Sequence, residues 1–70
     1  MAYIILSENC TDIPDPKIIL DTDTGQIKVV GALDADPHAR ALAGAGPDET
    51  LVTGLTPDMV REAARRLEQR

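Results

Sequence analysis

Asp23-Thr24-Gly25 is the stretch of this sequence with the clearest capacity for chemistry. Two such carboxylates, brought together across a two-fold axis, can share one proton and activate water. Asp21, two residues earlier, adds oxygen donors of the kind a calcium loop uses. Gly44-Ala45-Gly46 has the backbone freedom that phosphate-cradling loops need. Cys10 and His38 are the single cysteine and single histidine, and hence the one cysteine–histidine pair available as nucleophile and base.

The spacing around each of these tells against chemistry. Asp23-Thr24-Gly25 matches the tripeptide of retroviral-type aspartic proteases, a resemblance that implies a dimeric peptidase with one tripeptide per chain. Asp21 and Thr22 stand where that family has apolar residues, and Gln26 where it has a small one. Seventy residues also leave little chain for flaps and a substrate tunnel. A hairpin turn explains the same three residues without further assumptions. Read from Asp21 as a calcium loop, position 5 is Gly25, position 6 is Gln26 and position 12 is Ala32, so the EF-hand ligand pattern fails. Gly44-Ala45-Gly46 lacks a preceding strand and a third glycine, and Asp48 and Glu49 beside it would repel a phosphate. Glu8 and Asp12 flank Cys10 and suppress its thiolate. No catalytic site, metal or cofactor is expected.

The elements that would position these residues can be read from pattern and punctuation. Tyr3-Ile4-Ile5-Leu6, Lys17-Ile18-Ile19-Leu20-Asp21 and Gln26-Ile27-Lys28-Val29-Val30 predict strands, with Pro14 and Pro16 confined to the first connection. The last two strands form a β-hairpin closed at Gly25. Asp36 and Pro37 open a short helix through Leu42, which Gly44 and Gly46 end. Thr50-Leu51-Val52-Thr53 is a short fourth strand. Thr56 caps a second helix that begins at Pro57, and Met59, Val60, Ala63, Ala64 and Leu67 share one of its stripes. The expected fold is α+β: one domain over residues 1–70, with a three- to four-stranded, mainly antiparallel sheet, a central hairpin and the C-terminal helix packed on it.

Composition bounds the function. A chain of this size buries only about 60% of its unfolded surface, and small domains usually add a disulfide, a metal or a partner chain. One cysteine rules out an internal disulfide, and one histidine rules out a Cys/His zinc cluster. Phe and Trp are absent, Tyr3 is the only aromatic residue, and the net charge is −5, which together oppose nucleic-acid binding. Nine acids against three bases in residues 1–56 make an acidic body, while Arg61, Arg65, Arg66 and Arg70 make the C-terminal segment basic. No apolar run spans a membrane, and Met1-Ala2-Tyr3-Ile4-Ile5-Leu6 lacks the basic start of a signal peptide, so a cytoplasmic location is expected.

The remaining clue is apolar excess. Tyr3-Ile4-Ile5-Leu6 and Ile18-Ile19-Leu20 do not alternate, so both faces of these strands are apolar. One helix covers one face. Either Ile13, Leu33, Leu42 and Leu55 fold over the other, or a partner does. Ile4, Ile18 and Leu20 are the expected interface apolars, with Arg61, Arg65 and Arg66 as rim charges. The first expectation is a non-enzymatic assembly or structural subunit that self-associates or binds a protein scaffold. Its Ala-, Gly-, Asp- and Arg-rich make-up suits a GC-rich bacterial or bacteriophage accessory protein. The alternative is an adaptor: the hairpin Lys17–Val30 and the helical segment after it, residues 17–43, resemble the PqqD-like peptide-recognition domains of ribosomal-peptide maturation. That resemblance implies binding of a peptide or protein, although the later helices of that family are missing here.

Overall fold

The computed structural model describes residues 2–9 and 15–70. Cys10 and Ile13, weighed above as nucleophile and face cover, lie outside the described residues. Strands β1 (Tyr3–Glu8), β2 (Lys17–Asp21) and β3 (Ile27–Val30) form an antiparallel sheet in the order β1-β2-β3. Strands β4 (Ala32–Leu33) and β5 (Val52–Thr53) form a separate two-stranded ladder. Helix α1 (Pro37–Ala43) lies between β4 and β5 in sequence, and helix α2 (Pro57–Glu68) follows β5. The fold is α+β with a β-hairpin at its centre, as the sequence pattern predicts.

Local chemistry accounts for each boundary. The β2–β3 turn is held by Asp21, whose carbonyl accepts from Gly25 N–H at 2.8 Å and whose carboxylate accepts from Asp23 N–H at 2.9 Å. Gly25 has φ +77°, a region only glycine enters cheaply. Asp36 caps α1 by accepting from His38 N–H, and Gly44 ends it in the left-handed conformation. The Thr56 hydroxyl caps α2 by accepting from Met59 N–H at 3.1 Å.

A β-bulge in β1 decides which side chains meet. Ile5 pairs with Ile19, but Ser7 pairs with Ile18, so Leu6 is the extra residue. The bulge turns Leu6 and Ser7 to the same side, and both are buried. Without it, strict alternation would place one of them on the opposite face. Leu6, Ile18, Leu20, Met59 and Ala63 make the core, with Ile4, Leu55 and Leu67 packed against it.

Helix α2 packs on β1 and, less extensively, on β2. Helix width explains why it reaches no further: a helix is about 10 Å across and strands are about 4.8 Å apart, so one helix covers two strands. The helix therefore buries a narrower stripe than its sequence offers. Met59 and Ala63 are buried and Leu67 is half-buried, while Val60 and Ala64 are exposed. The segment 31–54 adds little core: α1 contains no buried residue. The Cα radius of gyration is 13.3 Å, against about 11 Å for a compact chain of this length.

Candidate protein interface

Strand pairing fixes the two faces of the sheet. Ile4, Leu20 and Ile27 stand opposite one another in successive strands, as do Ser7, Ile18 and Val29. These six share the inner face, which carries α2. Tyr3 with Asp21, Ile5 with Ile19 and Lys28, and Glu8 with Lys17 and Val30 share the outer face. On that outer face the Lys28 ammonium lies 5.2 Å from the centre of the Tyr3 ring and donates to its hydroxyl at 3.4 Å.

This arrangement corrects the expected interface. Ile18 and Leu20 are buried beneath α2, and Ile4 packs half-buried beside them. They serve the internal core and are closed to a partner. Strands that look apolar on both faces must commit one face to the helix, and the bulge and pairing select these residues. Arg61, Arg65 and Arg66 are exposed on α2 and engaged with neighbours on the same helix: Arg61 with Asp58 at 2.6 Å, Arg65 with Glu62 at 3.3 Å and Arg66 with Glu62 at 3.0 Å. Of the loop residues expected to cover the sheet, Leu55 joins the inner core. Leu33 and Leu42 cover nothing, being 80% and 92% exposed.

Three of the exposed large apolar side chains lie on β3. Ile27 and Val29 continue the core face beyond the reach of α2 and are 51% and 44% exposed; Val60, on α2, is 55% exposed. Val30 is exposed on the outer face with Tyr3 and Ile5. The bareness of Ile27 and Val29 is not legible in the sequence, because a strand pattern alone says nothing about how far the helix extends.

The two sheet edges are treated differently. In β1, Ala2 accepts from Thr22 N–H, so the backbone groups of Tyr3 and Ile5 point away from β2. That edge is interrupted by the bulge, and Arg66 reaches over to donate to the Ile5 carbonyl at 3.2 Å. In β3, Gln26 accepts from Asp21 N–H, so residues 26, 28 and 30 face β2, and Ile27 and Val29 direct their backbone groups outward. Residues 27–30 contain no proline, no bulge and no carboxylate. Of the devices that usually blunt an edge, β3 has only its shortness and Lys28, whose side chain folds toward Tyr3.

The residues first weighed for chemistry are placed elsewhere. Asp23 is exposed on the turn, while Asp21 is buried and braces that turn. Burial acts to raise the Asp21 pKa, but donors from Asp23 and Thr24 and the Lys28 charge outweigh it and hold the carboxyl below its ordinary value. Gly44 is the αL cap of α1, and Gly46 lies in the loop that follows, where its carbonyl accepts from Arg40 at 2.9 Å. Among the described residues no group of three His, Cys, Asp or Glu side chains is placed to hold a metal ion, and no helix is long and apolar enough to cross a membrane. An open hollow of about 540 Å³ beside α2 is lined by Glu8, Asp58 and Glu62 together with Arg61 and Arg65. Its charges are of both signs, and the α2 members pair with one another.

Compared with known proteins, the chain matches no family model, no curated protein and no solved structure.

Proposed function

We propose that this chain is a protein-binding module whose working surface is β3, with its outward backbone edge and the bare Ile27 and Val29 side chains. The observation that carries the reading is the contrast between the two edges: β1 is bulged and capped by Arg66, whereas among the described residues no strand pairs with the outer edge of β3. An extended segment added to such an edge gains main-chain hydrogen bonds and, from Ile27 and Val29, apolar contacts.

An assembly subunit and a peptide-binding adaptor use this same surface and differ in what occupies it. The test is capture of partners from the source cells on immobilised wild-type chain and on Val29→Lys, with circular dichroism confirming that the variant is folded. Proteins retained by the wild type and lost from the variant support the reading. Equal retention by both contradicts it.

A further inference from the structure

We infer that the segment from Gly31 to Gly54 carries a second docking surface, whose occupant is a basic stretch of a partner protein with an apolar side chain at its centre. This goes beyond the proposed role of β3 and is tested separately from it. The segment contributes almost nothing to the core: α1 buries no residue, and Leu33 and Leu42 are the most exposed large apolar side chains among the described residues. It is nevertheless held in shape. β4 pairs with β5, Asp34 N–H donates to the Leu51 carbonyl at 2.9 Å, and the Arg40 guanidinium donates to the Gly46 and Glu49 carbonyls at 2.9 and 3.2 Å. Beside this ladder lies an open hollow of about 420 Å³, lined by Leu33, Ala35 and Leu51 together with Asp34, Arg40 and Glu49.

Charge names the chemistry of the occupant. Residues 31–54 hold Asp34, Asp36, Asp48 and Glu49 against Arg40 alone, a net charge of −3 within the chain's −5. Among the described residues none of these four carboxylates enters an ion pair, whereas Asp58 and Glu62 on α2 are each paired with arginine. Backbone donors hold three of the four in place. Asp34 accepts from Asp36 N–H and Asp36 from His38 N–H, both at 2.9 Å, and Glu49 accepts from Gly46 N–H at 2.7 Å. An apolar hollow beside carboxylates with no cationic partner complements a segment that offers one aliphatic side chain between lysines or arginines. A simple cation would leave the apolar lining unused. An anionic lipid surface or a nucleic acid would be repelled.

The test follows binding of a fluorescein-labelled peptide, Gly-Lys-Arg-Leu-Lys-Arg-Gly, to the full chain by fluorescence anisotropy, beside a second peptide with Ser in place of Leu. Asp34→Asn combined with Glu49→Gln removes two charges and keeps the oxygen acceptors for the Asp36 and Gly46 N–H groups. Circular dichroism checks that this double variant is folded. The wild type is expected to bind the leucine peptide and to lose affinity as salt rises. The double variant is expected to bind it roughly tenfold more weakly, and the wild type to bind the serine peptide roughly tenfold more weakly. Amide chemical shifts should move at Leu33, Asp34 and Leu51 and stay unchanged across residues 27–30. Absence of binding up to about 1 mM peptide, equal affinity for the two peptides, an unaffected double variant, or shift changes confined to α2 or β3 overturns the inference. Val29→Lys is expected to bind the peptide as the wild type does, and loss of binding there would also overturn it. The β3 reading is judged on partner capture alone, so the two fail separately.

Discussion

Substituting alanine at Leu6 and at Ile5 tests the bulge on which both faces of the sheet depend. The two residues are neighbours of similar size in one strand. Leu6 is fully buried against Ile18, Leu20, Met59 and Ala63, whereas Ile5 is 44% exposed on the outer face. Leu6→Ala removes three buried carbons and leaves a cavity between a strand and a helix, for a loss of about 3 kcal/mol. Ile5→Ala removes a half-covered side chain, worth about 1 kcal/mol. A domain of this length has roughly 3–5 kcal/mol in total, so Leu6→Ala is left with about 1 kcal/mol and roughly 15% of molecules unfolded at 25 °C. With a urea slope of about 1 kcal/mol/M, the midpoint falls by about 3 M for Leu6→Ala and about 1 M for Ile5→Ala. Urea titration followed by circular dichroism reads both shifts. Equal shifts, or a larger one for Ile5→Ala, would refute the register and the face assignment built on it.

Further outcomes follow from individual contacts. Thr56→Ala removes the cap that accepts from Met59 N–H and is expected to cost about 1 kcal/mol in the same titration. Gly31→Ala places a Cβ 2.5 Å from the Thr53 carbonyl oxygen and 2.7 Å from Val52 Cγ1. Amide exchange at Asp34, which donates to Leu51 across β4 and β5, should quicken while the amides of β2 stay protected. The Asp21 carboxyl has a folded-state pKa below the ordinary 3.8, so its stabilisation is complete above that value. It is lost as pH falls below 3.8 through the folded value. Asp21→Asn should therefore be less stable than wild type at pH 5.5, and the gap should narrow toward pH 2, as urea midpoints at the two pH values will show.

What the sequence made legible was local. Gly25, Thr56, Asp36 and Gly44 act through backbone geometry within a few residues, and each stands in the structure where its type predicts. The bulge was not legible, because four consecutive apolar residues carry no sign of which one is extra. Nor was the width of the α2 contact: Val60 and Ala64 belong to an apolar stripe on paper, but a helix seated over β1 and β2 leaves them open. For the same reason Ile4, Ile18 and Leu20 read as partner-facing while the structure turns them inward. The surplus of apolar surface was visible in strand segments that do not alternate, and its location at Ile27 and Val29 emerged only once the strands were paired. Val52 and Thr53 form a strand as expected, but β5 pairs with β4 in a separate ladder. The Arg66 bond to the Ile5 carbonyl joins residues 61 positions apart, a separation that no local pattern reports.

Amide hydrogen exchange across residues 27–30 in dilute solution tests the central claim about β3 most directly. Lys28 and Val30 face β2 and should exchange slowly, whereas Ile27 and Val29 direct their amides outward and should exchange rapidly. Protection of Ile27 and Val29 equal to that of Lys28 and Val30 would contradict the account.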